Sequence, residues 1–222
     1  MKAIIIGAGV AGPAVAIALK KVGIDSAVFE SANEICDQLG ALIQVSYNGC
    51  KVLQQLGIEE QMLSCGDRCD RSIILNQDGR VLADARLEGM KRYGTTSLNV
   101  SRHLFHHKLV LLAREEFGIR IEFGKKLVDL KQDDGGVRAI FQDGSSEEGD
   151  FLIGCDGIHS KVRNIIFPHV AKPTYTGLIG IGGFAKVTDK TRCIPKDSMS
   201  FIFGNQGFFG YASVSKAPNQ NK

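Results

Sequence analysis

Residues 2–12 read KAIIIGAGVAG, an apolar run followed by three glycines at fixed spacing. The run from Lys2 to Ile6 predicts a buried parallel strand, because such strands are apolar on both faces. Residues 10–22 then place apolar side chains at helical spacing, and Gly23 predicts the end of that helix. A second strand is predicted from Asp25 to Glu30, and the three elements together form a βαβ unit.

The loop between the first strand and the helix predicts a phosphate-binding site. Its residues are Gly7, Ala8, Gly9, Val10, Ala11 and Gly12. Gly7 would permit the tight turn, Gly9 would let the backbone approach a pyrophosphate, and Gly12 would let the helix pack against the strand. The helix N-terminus adds unpaired N–H groups and a partial positive charge. This context indicates a dinucleotide site, and the alternative is a βαβ unit of this kind without a ligand.

Glu30 ends the second predicted strand, eighteen residues after Gly12. A carboxylate at this place can accept hydrogen bonds from both hydroxyls of a ribose. It would repel a 2′-phosphate, so the sequence disfavours NADP at this site. The motif alone leaves the choice between FAD and NAD open.

Composition and charge narrow the class of protein. The 222 residues are 44% hydrophobic and 23% charged, and the net charge is +3. This charge is too small to favour nucleic acid or an anionic membrane as a partner. Three glycines interrupt the apolar N-terminus, which disfavours the alternative of a secretory signal, and no segment approaches the roughly 20 apolar residues of a membrane span. We therefore expect a cytoplasmic protein without stable membrane insertion.

Cysteine and histidine spacing predicts no metal site. The six cysteines lie at 36, 50, 65, 69, 155 and 193, without the C-x₂-C spacing of metal or redox sites. We expect reduced and mostly buried thiols. His103 and His107 are four residues apart and could share a metal, but no second cluster accompanies them. We interpret these two and His106 as a polar helix face.

The rest of the chain predicts a mixture of helices and short strands. Helices are predicted at Tyr47–Leu56, ended by Gly57, and at Arg102–Phe117, with Ser101 as its N-cap. Arg71–Leu75 and Arg80–Ala85 flank a turn and predict a hairpin. An antiparallel meander is predicted at Lys125–Lys131, Val137–Phe141 and Glu148–Ile153. Further strands are predicted at Gly177–Val187, Met199–Phe203 and Phe208–Val214, and the polar residues 216–222 predict no closing element.

Residues 151–163 read FLIGCDGIHSKVR, in which a predicted strand ends at Asp156 and a helix begins near Ser160. The segment resembles the Asp-Gly motif of the single-component flavin-dependent aromatic hydroxylases, the family built like p-hydroxybenzoate hydroxylase. In that family the motif touches the pyrophosphate region of FAD and the incoming NAD(P)H. The resemblance therefore implies that Asp156 and Gly157 contact the cofactor.

Two more segments carry the same resemblance. Residues 100–104, VSRHL, open a predicted helix and are similar to the family's segment whose arginine reaches the flavin cofactor, which implies this contact for Arg102. Residues 40–48, GALIQVSYN, are similar to the Gly-Ala-Gly-Ile loop that passes near the flavin, which implies a contact by Ala41. Leu42 stands where the family usually has glycine, and Tyr47 stands where it usually has proline.

The resemblance implies an α/β fold, with a Rossmann-like FAD-binding domain that carries a β-meander and the start of a mixed β substrate domain. We expect the FAD-binding domain at residues 1–170, with residues 68–98 contributing strands to the substrate domain. Residues 171–222 would begin the substrate domain. The family's second flavin motif, Gly-Asp followed by Ala-x-His-Pro, is not in the sequence. We therefore expect an incomplete chain.

The resemblance also implies an activity, that of an FAD-dependent monooxygenase. NADH or NADPH would reduce FAD, and O₂ would then supply the oxygen that hydroxylates or epoxidises a small electron-rich substrate, an aromatic one above all. The cofactor carries this chemistry, so no catalytic residue is assigned. The alternatives are an FAD-binding module without activity and another FAD oxidoreductase on the same fold. The substrate, the choice of NADH or NADPH and the oligomeric state stay open.

Overall fold

The computed structural model describes residues 1–35, 40–186, 188 and 195–215. Its helices are α1 (Ala11–Lys21), α2 (Tyr47–Leu56), α3 (Glu59–Leu63), α4 (Gly89–Tyr93), α5 (Arg102–Glu115) and α6 (Lys161–Ile166). Its strands are β1 (Lys2–Ile6), β2 (Asp25–Phe29), β3 (Leu42–Val45), β4 (Asp67–Cys69), β5 (Arg71–Asn76), β6 (Val81–Arg86), β7 (Ser97–Ser101), β8 (Arg120–Glu122), β9 (Leu127–Asp133), β10 (Gly136–Phe141), β11 (Ser146–Gly149), β12 (Phe151–Gly154), β13 (Ser198–Phe203) and β14 (Phe208–Ala212).

The chain forms two compact units. The first unit comprises Met1–Asp37 and His106–Gly180, and the second comprises Gln38–Phe105 and Ile181–Lys222. The expectation of an FAD-binding domain at residues 1–170 and a substrate domain from residue 171 stays a prediction. The α/β fold class is confirmed.

The first unit is built on a parallel sheet with the strand order β12-β1-β2-β8. The predicted β1, α1 and β2 are confirmed, since α1 provides the crossover that a parallel pair of strands requires. The strands are apolar because both faces are covered, and Ile4, Ile5 and Val28 are completely buried. Ala16 and Ile17 form part of the buried face of α1.

A three-stranded antiparallel meander, β11-β10-β9, packs against this parallel sheet. The rings of Phe29 on β2 and Phe141 on β10 lie 4.8 Å apart between their centroids. Val162 of α6 belongs to the same buried cluster. This packing fixes the end of β12, where the Asp-Gly motif begins.

The predicted strand Glu148–Ile153 is wrong as a single element. It is divided at Asp150 into β11, which completes the meander, and β12, which pairs in parallel with β1. The N–H of Asp150 donates to the Lys2 carbonyl, and the Lys2 N–H donates to the Asp150 carboxylate, so one residue carries the chain between the sheets. The change occurs over too few residues to interrupt the sequence pattern.

The second unit contains two small sheets, with the orders β14-β13-β5-β6 and β3-β7-β4. The β5–β6 hairpin, β13, β14 and α2 are confirmed, and α2 ends at Gly57 in the left-handed conformation. Ser101 directly precedes α5, as the N-cap prediction requires, but its side chain makes no capping hydrogen bond among the described residues. Ser101 is a completely buried member of the β3–β7 ladder. Helix α5 begins at Arg102 as predicted.

The predicted strand at Gly177–Val187 is also wrong over residues 177–186, which are neither helix nor strand. The apolar side chains of Ile179 and Ile181 are 80% and 95% exposed. Four glycines lie in this stretch, and glycine weakens a strand because it has no side chain to pack. Val187 lies outside the described residues, as do Cys36, Cys193 and the predicted irregular end at 216–222.

Among residues 1–35, 40–186, 188 and 195–215, no helix is long and apolar enough to cross a membrane. The described ranges also hold no group of three or more side chains that could bind a metal ion. Among the described cysteines, Cys50, Cys65, Cys69 and Cys155 are free, and Cys50 and Cys69 are buried.

Candidate cofactor site

The glycine loop of the first unit depends on Gly7 for its shape. Gly7 has a φ of +104°, and its N–H donates to the Phe29 carbonyl over 2.8 Å. A Cβ atom at Gly7 would lie 2.5 Å from the Cys155 carbonyl oxygen. Both the backbone angle and the close approach of Cys155, directly after β12, therefore require glycine.

Gly12 and Gly9 have opposite surroundings. A Cβ atom at Gly12 would lie 1.9 Å from the Gly7 carbonyl oxygen, so α1 can start directly against the loop only with glycine there. A Cβ atom at Gly9 would have nothing within 4 Å. Gly9, Val10 and Ala11 are exposed, which leaves the N-terminal end of α1 open to a ligand.

Ala8 is held on both sides of its main chain. Its N–H donates to Glu30 Oε2 over 2.8 Å, and its carbonyl lies 2.6 Å from His106 Nε2. A carbonyl only accepts hydrogen bonds, so the Nε2 atom carries the proton and donates. Sequence reasoning missed His106, since nothing in the sequence distinguishes it from the other histidines of α5.

Glu30 lies beside the glycine loop, as predicted. Its Oε1 atom accepts from the N–H of Ala32 over 2.9 Å and from the hydroxyl of Ser31 over 3.0 Å. Together with Ala8, these donors use three of the roughly four acceptor positions of a carboxylate. Room for about one further hydrogen bond stays at Oε2, whereas the sequence predicted bonds to two ribose hydroxyls.

The Asp-Gly motif meets the glycine loop at the carboxyl ends of β1 and β12. The N–H of Cys155 donates to the Ile6 carbonyl over 2.7 Å, and the Cα atom of Asp156 lies 3.1 Å from a Cβ placed on Gly7. Gly157 follows with a φ of +74°. The two motifs are therefore adjacent, although about 150 residues separate them in the sequence.

The Asp156 carboxylate is occupied by the start of α6. Its Oδ1 atom accepts from the Ser160 hydroxyl over 2.5 Å, and its Oδ2 atom accepts from the N–H groups of Lys161 and Val162. The Ser160 hydroxyl in turn accepts from the Arg163 N–H, so both side chains cap the helix. Asp156 thus fixes the turn that carries Gly157.

Cys155 lies between the end of β12 and this turn. Burial raises the pKa of its thiol, and the negative charge of Asp156 raises that pKa further. The thiol is therefore neutral near pH 7, and a neutral thiol reacts poorly.

Arg102 and Ala41 come together in the second unit. The N–H of Arg102 donates to the Ala41 carbonyl over 2.9 Å, at the end of the β3–β7 ladder. A Cβ atom on Gly40, which has a φ of +84°, would lie 2.8 Å from Arg102 Cδ. The predicted site residues therefore form one group in each unit.

Tyr47, where the family usually has proline, has a role inside the second unit. Its hydroxyl donates to the Asp70 carboxylate over 3.1 Å, and its ring stacks on Tyr93 at 5.3 Å. A Cβ atom on Gly89 would lie 1.9 Å from the Tyr47 ring, so α4 starts against it. The departure from the family pattern therefore coincides with local packing of α2 against α4.

The residues of the first unit fit the adenosine and pyrophosphate part of a dinucleotide. The exposed N-terminal end of α1 offers N–H groups and a partial positive charge to phosphate oxygens. The open space at Gly9 allows such a group to approach the backbone. Glu30 has an acceptor position for a ribose hydroxyl.

The sequence profile of the FAD-binding domain family matches residues 1–218. The chain belongs to this family. The resemblance to the single-component flavin hydroxylases and the choice of FAD are thereby confirmed. The glycine loop and Glu30 alone left the choice between FAD and NAD open, and membership in this family decides it in favour of FAD.

Individual relatives in this family are named hydroxylases and monooxygenases. The chain is 34% identical over 192 residues to an FAD-dependent urate hydroxylase of Klebsiella pneumoniae, which covers 85% of this chain and 49% of the relative. It is 33% identical over 178 residues to a 6-hydroxynicotinate 3-monooxygenase of Bordetella bronchiseptica, which covers 79% and 45%. The chain thus spans about half the length of the curated relatives it matches.

The fold of this chain is also similar to that of a solved structure. The crystal structure of Klebsiella pneumoniae HpxO complexed with FAD and uric acid superposes with a TM-score of 0.80 at 29% identity. The superposition covers 97% of this chain and 54% of HpxO. It confirms the predicted FAD-binding fold over nearly the whole chain.

Proposed function

We propose that this chain provides the FAD site of an NAD(P)H-dependent monooxygenase. The observation that carries the proposal is the meeting of the Gly7–Gly12 loop, Glu30 and the Asp156 turn at one edge of the parallel sheet. When bound and reduced, FAD supplies the activation of O₂ from which one oxygen atom is inserted into a substrate. The hydroxylase and monooxygenase names of the relatives support this reaction class.

Residues of the first unit would hold the adenosine half of FAD. The N-terminal end of α1, with Gly9, Val10 and Ala11, would donate N–H groups to the pyrophosphate. Glu30 would accept from one ribose hydroxyl. Asp156 would act by fixing the turn at Gly157, because α6 already uses both of its carboxylate oxygens.

Arg102 and Ala41 of the second unit would serve the flavin half. A guanidinium is a fixed cation with several donors, which suits a phosphate or a flavin carbonyl oxygen. The hydrogen bond between the Arg102 N–H and the Ala41 carbonyl keeps these two residues together. Their contact with FAD is part of the proposal.

For the substrate, we propose a small nitrogen-containing heteroaromatic compound that bears oxygen. The names of two relatives, urate hydroxylase and 6-hydroxynicotinate 3-monooxygenase, support this class. The oxygen substituent donates electron density to such a ring, which suits the transfer of oxygen from a reduced flavin and O₂. No residue of the chain is proposed as a general acid or base.

We also propose that 222 residues suffice for binding FAD but not for hydroxylation. The curated relatives are about twice as long, and the aromatic rings of β14 are exposed, with Phe208 at 68% and Phe209 at 63%. A reaction with reduced flavin requires a site that excludes water. An FAD-binding module without activity of its own is therefore the form we propose for the isolated chain.

The test compares the 222-residue chain with the longest polypeptide that its gene encodes. Oxidation of NADH and of NADPH is measured together with oxygen uptake, with and without urate or 6-hydroxynicotinate. We expect FAD binding in both proteins, and substrate-stimulated oxygen uptake only in the longer one. FAD binding without any oxygen uptake in the longer protein would contradict the monooxygenase proposal.

A further inference from the structure

The main chain of Ala8 is fixed by two side chains, Glu30 from the end of β2 and His106 from α5. We infer that His106 is a positioning residue of the phosphate-binding loop, which sets the direction of the Gly9 N–H. The inference rests on the proposed FAD site at Gly7–Gly12 and adds a residue that the glycine motif does not contain.

The geometry of the Ala8–Gly9 peptide leads to this role. A trans peptide is planar, so its carbonyl and its N–H point in opposite directions. The Ala8 carbonyl accepts from His106 over 2.6 Å, so the Gly9 N–H points away from His106. Gly9 is exposed and its surroundings are open. The N–H is therefore presented to an incoming anion, here the pyrophosphate of a dinucleotide.

The preceding peptide is fixed by the same logic. The Ala8 N–H donates to Glu30, and the Gly7 carbonyl on the opposite side of that peptide points towards Gly12, within 1.9 Å of a Cβ there. Glu30 and Gly12 thus determine one peptide, and His106 determines the next. The orientations of these two successive peptide planes are therefore fixed by separate contacts.

The conformational freedom of Gly9 explains why the loop needs the hydrogen bond from His106. Rotation of the Ala8–Gly9 peptide changes ψ of Ala8 and φ of Gly9, and glycine accepts positive φ at little cost. The loop therefore has an accessible alternative in which the Gly9 N–H points inward. The His106 bond opposes this rotation before any ligand arrives, and such preorganisation increases affinity.

The chemistry of the contact identifies a conservative replacement. The contact needs a side-chain N–H donor at the distance of Nε2, because the Ala8 carbonyl is only an acceptor. Glutamine offers such a donor in its amide group, whereas alanine offers none. His107, the next residue of α5, provides a matched control of the same type.

The experiment compares the wild-type chain with His106→Ala, His106→Gln and His107→Ala. FAD binding is measured by flavin fluorescence, and ADP and adenosine binding by NMR titration. We expect His106→Ala to weaken FAD and ADP about three- to tenfold, as for one lost hydrogen bond, and to leave adenosine within about twofold. His106→Gln should restore ADP affinity to within about twofold of wild type, and His107→Ala should match wild type.

Binding of adenosine distinguishes a positioning role of His106 from a merely structural one. It uses the ribose contact of Glu30 but has no phosphate, so damage to the whole βαβ unit would weaken adenosine and ADP equally. Equal losses, an unchanged ADP affinity in His106→Ala, or no restoration by His106→Gln would overturn the inference alone. A wild-type chain that binds neither FAD nor ADP would overturn the proposed function, and this inference with it.

Discussion

Replacing Glu30 by alanine tests the ribose contact most sharply. In the chain without ligand, the substitution removes acceptors for the N–H groups of Ala8 and Ala32 and for the Ser31 hydroxyl. The latter two bonds are exposed, so water replaces the lost acceptor and the folded chain should persist. The effect should therefore appear in ligand binding rather than in folding.

The magnitude follows from the one acceptor position that stays open on Oε2. A hydrogen bond to a charged group that is lost on mutation costs about 1–3 kcal/mol, or roughly 5- to 150-fold in Kd. The lower half of this range is expected, because Glu30 is only half-buried and has room for one ribose hydroxyl rather than two. Glu30→Gln keeps one acceptor oxygen and should lose less than Glu30→Ala.

The assay is equilibrium titration of FAD and of ADP into each variant. Both ligands contain the same ribose, so Glu30→Ala should weaken both by the same factor. Glu34→Ala is the matched control, since Glu34 is an exposed acid four residues later. An unchanged affinity in Glu30→Ala, or a loss for FAD without one for ADP, would refute the assigned role.

Three further predictions concern the loop, the ion pairs and the thiols. Gly9→Val should abolish FAD binding without changing the melting temperature, because the new side chain would occupy only the open space that the pyrophosphate needs. Gly12→Val should instead lower the melting temperature, because its side chain would collide with the Gly7 carbonyl. Melting followed by circular dichroism and the amount of retained flavin distinguish the two effects. Burial raises the pKa of Glu147, but hydrogen bonds from Lys2 and Arg120 outweigh it and hold the pKa below its ordinary value. The stability that this carboxylate contributes is therefore present above pH about 4.3 and is lost as the pH falls further. The melting temperature of Glu147→Gln should consequently fall less steeply with acidification than that of the wild type, and equal slopes would contradict the lowered pKa. Burial raises the pKa of Cys50 to about 11, so iodoacetamide at pH 7.5 should alkylate Cys50 only after unfolding, as peptide mass mapping would show, and rapid labelling of the native chain would be inconsistent with this environment.

Local sequence rules were sufficient for the βαβ unit and for the hairpin. Gly12 lies against Gly7 of the same motif, so the spacing of these two glycines carries that geometry, whereas the approach of Cys155 to Gly7 is not visible in the local sequence. The turn at Asp156 was also predictable, because a strand, an acid and a helix start occur within one short segment. These elements depend on neighbours in the sequence.

Contacts between distant segments could not be predicted in this way. His106 touches Ala8 across 98 positions, and its helix presents two other histidines with the same local pattern. The division at Asp150 is set by Lys2, which comes from the other end of the unit. Ser101 matched the cap pattern, but pairing with β3 buries it in a sheet instead.

The same limitation explains why the strand predicted at residues 177–186 does not form. Its apolar residues satisfy the composition of a strand, but a strand also needs a partner to pair with. Ile179 and Ile181 are exposed and belong to no sheet within the ranges that the structure describes. Composition alone carries no information about that partner.

A competition titration tests the central claim, that the loop, Glu30 and the Asp156 turn hold the adenosine half of FAD. The 222-residue chain is saturated with FAD, and ADP, FMN or NADP is then added while the flavin fluorescence is followed. We expect one FAD per chain and displacement by ADP, with much weaker competition by FMN and by NADP. FMN that competes as well as ADP, or a chain that binds no FAD, would contradict that claim.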